Sequence, residues 1–450
     1  MDSVITRVVA VAAGRFAPGH LGELTRIVPF EMVDAALAET GKVQKRVRDL
    51  PSRVVVYLLL AAGLFAELGY RQVWQRMIAG LDGLTVAVPT ASALAAARRR
   101  IGPAPLRALF DLLRGPAAGL ATKGVYWRGR LVTAVDGTMM CCPDTAANLR
   151  VYRRGGGNHG GTGYPMLRLL ALVACGTRTI IDATFGSTSV GETTYAHHLL
   201  RAVRPGMIVL ADRNFAAQDL ITGIVGTGAD LLIRVKTGRK LPVCRRQPDG
   251  SYVSRIGPVE VRVLTCEITI TTAAGRRSEV YRLITTILDR DIPAIELIKL
   301  YRERWEIETA YLELKSTILG GRVLRAKTPA GIEQEVYALL VTYQALRVAI
   351  TDATLPYPDV DPDRASFTIA LNAARDQLIQ AAGVLADTVI DLVGTIGRHI
   401  LANLLPDRRL RVNPRAVKRA ISKYATKGLN IDRTSYKATI SIDIIAPPDP

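Results

Sequence analysis

The run Ile292 to Ile318, IPAIELIKLYRERWEIETAYLELKSTI, holds the side chains best suited to chemistry. At about 100° per residue, taking Tyr301 as zero, a helix here places Arg304 at about 300°, Lys315 at about 320° and Glu308 at about 340°. Those four share one arc. A guanidinium fork and an ammonium suit phosphate oxygens, a phenol donates a hydrogen bond, and a carboxylate takes a hard cation. Leu300, Ile307, Ala310, Tyr311, Leu314 and Ile318 fall between about 180° and 280°, a stripe for a core, whereas Glu303, Glu306 and Glu313 lie off the Tyr-Arg-Lys face. Asp291 as N-cap, Pro293 in the first turn and Gly320-Gly321 mark the ends. A solvated surface helix laced with charges has the same composition. Only the spacing Y-x2-R-x3-E-x6-K, with RW-x-IE inside it, argues for more.

The chain that must position this helix has 450 residues, enough for two to four domains and a sizeable core. A hydrophobic share of 49% and a charged share of 22% are those of a soluble globular protein. Lys and Arg number 59 against 40 Asp and Glu, giving +19 and a pI near 10.0, which points to a polyanion partner. General solubility or a ribosomal or membrane-surface role gives the same balance. Five cysteines without a paired C-x2-C arrangement give no disulfide framework, so a reducing cytoplasm is the expected setting. His197-His198 completes no zinc spacing. The longest apolar run, Val54 to Ala66, is 13 residues, too short for a bilayer, and the opening MDSVITRVVAVAAG lacks a strong basic n-region. No membrane partner or signal peptide is expected.

Residues 1–122 read as a helical domain, with runs Leu24–Ala38, Arg53–Gly69 and Tyr70–Ala79. Two further helices flank a break at Gly102-Pro103, and Arg98, Arg99 and Arg100 stand at the joint. That pair suits either a DNA-binding unit or a bundle helix whose basic last turn complements its dipole. From about Arg130 the pattern becomes strands: RLVTAVDGT ending at Asp136, a hairpin turning at Gly176-Thr177, and MIVLADRNF ending at Asp212. Ser189 and Glu192 spell a capping box for an intervening helix, and a helix Ala217–Val225 precedes a strand Leu231–Val235. Residues 236–291 alternate as antiparallel strands do, Ile332–Ala349 is an apolar helix, and Tyr357–Asp363 reads as a linker. The region 351–450 reads as helical, then basic, with ten Lys or Arg against two Asp between Asp407 and Lys437.

Three blocks, AVDGTMMCCPDTAAN around Asp136, VLADRNF around Asp212 and YRERWEIETAYLELK around Glu308, resemble the signature blocks of the insertion sequence 4 family of DDE transposases. The likeness runs from about Val132 to Ala349, more loosely back to about residue 20. It implies an α/β fold: an RNase H-like mixed-sheet catalytic core over 123–350, a β-strand insertion at 236–291, and helical N- and C-terminal regions. In that fold the first and fourth strands lie side by side, so Asp136 and Asp212 would meet at one sheet edge.

The resemblance implies that Asp136, Asp212 and Glu308 are catalytic and metal ligands for two Mg2+ or Mn2+ ions, since clustered carboxylates are the oxygen donors such cations prefer. It further implies that Tyr301, Arg304 and Lys315 hold DNA phosphates, and Trp305, Arg213 and the three arginines 98–100 are added as DNA contacts. The partners would be double-stranded DNA, as transposon ends and target, and a second copy of the chain in a homodimer bridging two ends. The setting would be a bacterial cytoplasm, at the nucleoid. Cut-and-paste transposition through a hairpin is the implied reaction. A DNA-binding relative without the reaction, and a nuclease that cuts without joining, remain alternatives. The insertion has no tryptophan, leaving Tyr252 or Tyr281 to stack a flipped base. The Gly-rich loop Arg153–Pro165 is no nucleotide cradle; Arg153 and Arg154 are further phosphate contacts by this reading.

Overall fold

The computed structural model describes residues 19–46, 48–81, 86–119, 122–154, 163–357, 359–381, 394–406, 411–412 and 436–447. The opening MDSVITRVVAVAAG, most of the Gly-rich loop and most of the basic run from Asp407 lie outside the described residues. The chain forms two compact units: Met1–Lys123 with Met140–Val151 and Ala310–Pro406, and Gly124–Met139 with Tyr152–Thr309 and Asp407–Pro450.

The second unit is built on a mixed sheet of β1 (Arg130–Cys141), β2 (Met166–Ala174), β3 (Ile180–Ser187), β4 (Met207–Ala211), β5 (Asp230–Val235), β6 (Tyr252–Ile256), β7 (Val259–Thr272), β8 (Gly275–Thr285) and β9 (Tyr436–Ile444). Leu131–Val135 and all of β4 are buried, as continuous apolar runs are when a strand is covered on both faces. β1, β4 and β5 pair in parallel, joined through helices Glu192–Leu199 and Gln218–Gly226. Along the main path the order is β9-β7-β8-β5-β4-β1-β2-β3, with the first and fourth strands adjacent as the RNase H-like arrangement requires. β8 pairs antiparallel with β5, from Arg282↔Val235 to Thr285↔Leu232, so the strands of the insertion continue this sheet.

Two expectations change here. The last hundred residues are not helical throughout: Tyr436–Ile444 pairs with β7 from Ala438↔Thr272 to Ile444↔Cys266, because the free edge of a long β7 offers a row of unpaired N–H and C=O groups. Nor does Asp291 cap the signature helix. The helix starts at Ala294 with Pro293 as N-cap, while the Asp291 N–H donates to Asp289 Oδ1 at 2.9 Å.

The cap comes from the insertion. Ala294 N donates to Asp249 Oδ2 at 2.8 Å, and Asp249 pairs with the fully buried Arg262, which also donates to Ser251 Oγ at 2.9 Å and to the carbonyls of Asp289 and Ile292 at 2.7 and 2.8 Å. Desolvation works against the Asp249 charge, but hydrogen bonds from Ser251 and Ala294 and the Arg262 charge outweigh it and hold the carboxyl below its ordinary range. Asp249→Asn is expected to cost about 1–2 kcal/mol in urea unfolding at pH 7. A lowered folded pKa stabilises above the unfolded value and is lost as pH falls, so the difference from wild type should shrink below about pH 4.

The other unit is helical. Ser52–Leu64 is buried at every residue, which explains the apolar run that is too short for a bilayer. It packs on Pro329–Thr354, where a Cβ at Gly63 would lie 2.6 Å from Thr342 Oγ1, so only glycine permits that approach. Thr342 Oγ1 donates to Leu60 O at 3.0 Å. The run Leu24–Ala38 is split into a 3-10 turn, Leu24–Arg26, and a helix, Phe30–Glu39, because Pro29 lacks an N–H and disfavours helix before it. Among the described residues no helix is long and apolar enough to cross a membrane. The five cysteines are thiols, none of them in a disulfide.

Candidate active site

The pairing Val135↔Ala211 is the last of the β1–β4 ladder, so Asp136 and Asp212 are the next residues on adjacent parallel strands. Each carboxylate is set by local backbone. Asp136 Oδ1 accepts from Gly137 N at 2.8 Å, and Asp212 caps the turn Arg213–Phe215 by accepting from Asn214 N at 2.8 Å.

The signature helix supplies the third acid. Tyr301 Oη donates to Ala211 O at 3.1 Å, tying the helix to the residue before Asp212. Arg304 Nη1 lies 3.4 Å from Asp136 Oδ2 and Nη2 lies 3.1 Å from Glu308 Oε1. One guanidinium therefore spans the first and third acids. Burial pushes the Asp136 carboxyl up to about 6, against the pull of the Gly137 N–H and Arg304, with Asp212 and Glu308 adding like-charge repulsion. Among the described residues no three His, Cys, Asp or Glu side chains gather closely enough to close round a metal ion.

The phosphate-binding candidates are placed unevenly. Tyr301 is buried with its hydroxyl engaged on Ala211, while Trp305 is 49% exposed with the Arg304 guanidinium 5.1 Å from its ring. Arg213 is exposed and lines a cleft of about 370 Å3 with Arg234, Lys236, Thr237 and Glu279. Sequence reading missed Arg234 and Lys236. Their signal was two cations spaced i, i+2 where β5 ends, next to the strand that ends at Asp212. Arg234 pairs with Glu279 at 2.6 Å and stacks on Tyr281 at 3.9 Å, whereas Tyr252 is buried.

The helix is not one regular cylinder: Tyr301–Arg304 is a 3-10 turn and Glu313–Ile318 a π turn. A constant angle per residue therefore stops describing it, and the arc drawn through Lys315 does not carry past Leu312. Lys315 belongs to the helical unit, where its charge eases a Cys141 thiol that burial pushes up. Glu306 and Glu313, off the chemical face, are buried ion-pair partners of Arg178 and Arg347.

Of the three arginines, Arg98 stacks on the Tyr70 ring at 3.6 Å and Arg100 donates to Leu50 O at 2.7 Å; Arg99 is exposed. Arg153 and Arg154 are exposed. The Ser189–Glu192 capping box does not form. Gly191 is the N-cap, Ser189 Oγ donates to Ser187 Oγ at 2.9 Å, and the Glu192 carboxylate lies against β1, 3.1 Å from where a Gly137 Cβ would stand.

Comparison with known proteins finds related families and chains. Residues 18–111 match the insertion element 4 transposase N-terminal family and residues 127–344 the transposase DDE domain family. The chain is 26% identical over 419 residues to the transposase InsG for insertion sequence element IS4 of Escherichia coli (strain K12), covering 88% of this chain and 91% of that one. It is 27% identical over 203 residues to the putative transposase InsZ of the same organism, covering 43% and 64%. Among solved structures, a piggyBac transposase synaptic complex with hairpin DNA aligns over 85% of this chain and 84% of that one, with a TM-score of 0.43 and 10% identity. A score of that size marks only a distant likeness.

Proposed function

Because the chain belongs to the insertion element 4 family of DDE transposases, we propose that Asp136, Asp212 and Glu308 are its catalytic carboxylates and hold two Mg2+ or Mn2+ ions against a DNA strand. The observation that carries this reading is the Val135↔Ala211 register with Arg304 spanning Asp136 and Glu308. The donor set fits such ions: all oxygen and hard, with burial pushing the Asp136 carboxyl up to about 6 and Asp212 and Glu308 adding like charge beside it. When bound, the ions supply Lewis acidity at the attacking and leaving oxygens of an in-line displacement.

The residues of the chain do the rest. Arg304, with Arg213, Arg234 and Lys236, offers charge-assisted hydrogen bonds to backbone phosphates and sets the register of the strand, and Lys315 is a separate phosphate contact of the helical unit. Tyr301 reaches a phosphate only by leaving the Ala211 carbonyl, and until then it positions the helix. None of the acids forms a covalent link to DNA. The sequence of steps is cut-and-paste: water frees a 3′-hydroxyl at the element end, that hydroxyl attacks the opposite strand to give a hairpin, water opens the hairpin, and the end is joined to target DNA. Two ends must be held together, so the acting form is a homodimer. The N-terminal unit, through Arg99 and its neighbours Arg98 and Arg100, contributes end binding.

The test uses the full chain with DNA carrying the inverted repeats that flank its gene. Cleavage and joined products are expected with Mg2+ or Mn2+ and none with a chelator. Cleavage without joining would favour the nuclease reading, and binding without cleavage a silent relative.

A further inference from the structure

Arg304 makes a contact that phosphate binding does not use. Its two terminal nitrogens lie 3.4 Å from Asp136 Oδ2 and 3.1 Å from Glu308 Oε1, so a single side chain bridges acids 168 and 4 residues away in sequence. The residue is only 9% exposed, and its Nε is buried with no acceptor among the described residues. Tyr301 and Trp305 flank the guanidinium, with ring centroids at 6.0 and 5.1 Å. Aromatic faces line the rest of the group, so its charge is balanced at the two carboxylates.

A cation held in this way offsets the repulsion between Asp136 and Glu308 and keeps both side chains turned toward each other. A divalent ion bound to the same oxygens needs the place the guanidinium occupies, and two cations that close in a poorly solvated pocket repel strongly. We infer that Arg304 is the resident counter-cation of the carboxylate cluster, a placeholder that divalent metal displaces. Loading the site then releases the guanidinium, and part of the metal's binding free energy is spent on breaking the two ion pairs. This rests on the reading of Asp136 and Glu308 as metal ligands.

The experiment is calorimetric titration of Mn2+ into the full chain without DNA, together with thermal unfolding of the chelator-treated protein, for wild type, Arg304→Gln, Arg304→Lys and Asp136→Asn. Arg304→Gln is expected to bind Mn2+ about ten- to a hundredfold more tightly than wild type. Its unfolding midpoint without metal should fall by about 2–4 °C. A residue that merely supports the helix would lower the midpoint without tightening the metal. Unchanged or weaker Mn2+ binding in Arg304→Gln, with Asp136→Asn abolishing it, overturns the placeholder and leaves the ligand reading standing. Mn2+ binding that Asp136→Asn does not alter overturns the ligand reading itself. If Arg304→Gln does not fold, Arg304→Lys decides: lysine keeps one charge but cannot bridge both acids, so several-fold tighter binding is expected, and wild-type affinity overturns the inference.

Discussion

Asp136→Asn is expected to lower DNA cleavage and strand transfer by about a thousandfold or more, since an amide keeps the shape of the side chain but gives up a charged metal ligand worth several kcal/mol in the transition state. The same substitution should make the metal-free protein more stable at neutral pH. Burial raises the Asp136 carboxyl to about 6 in the folded chain. The folded state therefore holds this proton more tightly than the unfolded chain, and stability from this group falls as pH rises between about 4 and 6. Above that window the buried charge costs up to about 3 kcal/mol, which the neutral amide avoids. Urea unfolding in chelator at pH 5 and pH 8 checks it: the variant should gain on wild type at pH 8 and gain less at pH 5. Equal stability at pH 8 would mean that the carboxylate is not held in a costly place.

Glu306→Gln, two residues from Glu308, should be the most damaging change that touches no DNA. Glu306 is 1% and Arg178 5% exposed, with Arg178 Nε 2.6 Å from Glu306 Oε2. Arg178 sits in the β2–β3 turn at a φ of 56°, a left-handed conformation that a non-glycine residue adopts at some cost. The pair thus pins the signature helix to the end of the β2–β3 hairpin. Neutralising one partner breaks a buried ion pair, and a loss of about 3–5 kcal/mol is expected in urea unfolding. Replacing both, as Arg178→Met with Glu306→Leu, should recover most of it. A loss under about 1 kcal/mol in Glu306→Gln would show that water reaches the site and that the pair does not anchor the helix. Turnover should fall as well, because a small misplacement of Glu308 is enough to slow the reaction.

The amino-acid sequence by itself determined the strands that end at Asp136 and Asp212, the helix that carries Glu308, and the family likeness, because strand periodicity, apolar runs and fixed motif spacing are local and survive without a fold. It also held the hairpin over 166–187 and the buried helix at Ser52–Leu64. What it could not hold were effects arising between residues far apart in the chain. The Asp249 cap on Ala294 comes from 45 residues upstream and looks in sequence like an ordinary turn residue, so the nearer Asp291 reads as the cap. Glu306 and Glu313 read only as acids off the Tyr-Arg-Lys face because their partners, Arg178 and Arg347, are visible only once the chain is packed. A constant turn angle assumes unbroken α-helix, and only tertiary packing chose the 3-10 turn at Tyr301–Arg304 and the π turn at Glu313–Ile318. The C-terminal strand and the cations at the end of β5 were decided the same way: a strand needs an edge to pair with, and a cleft needs its opposite wall, neither of which a linear pattern contains.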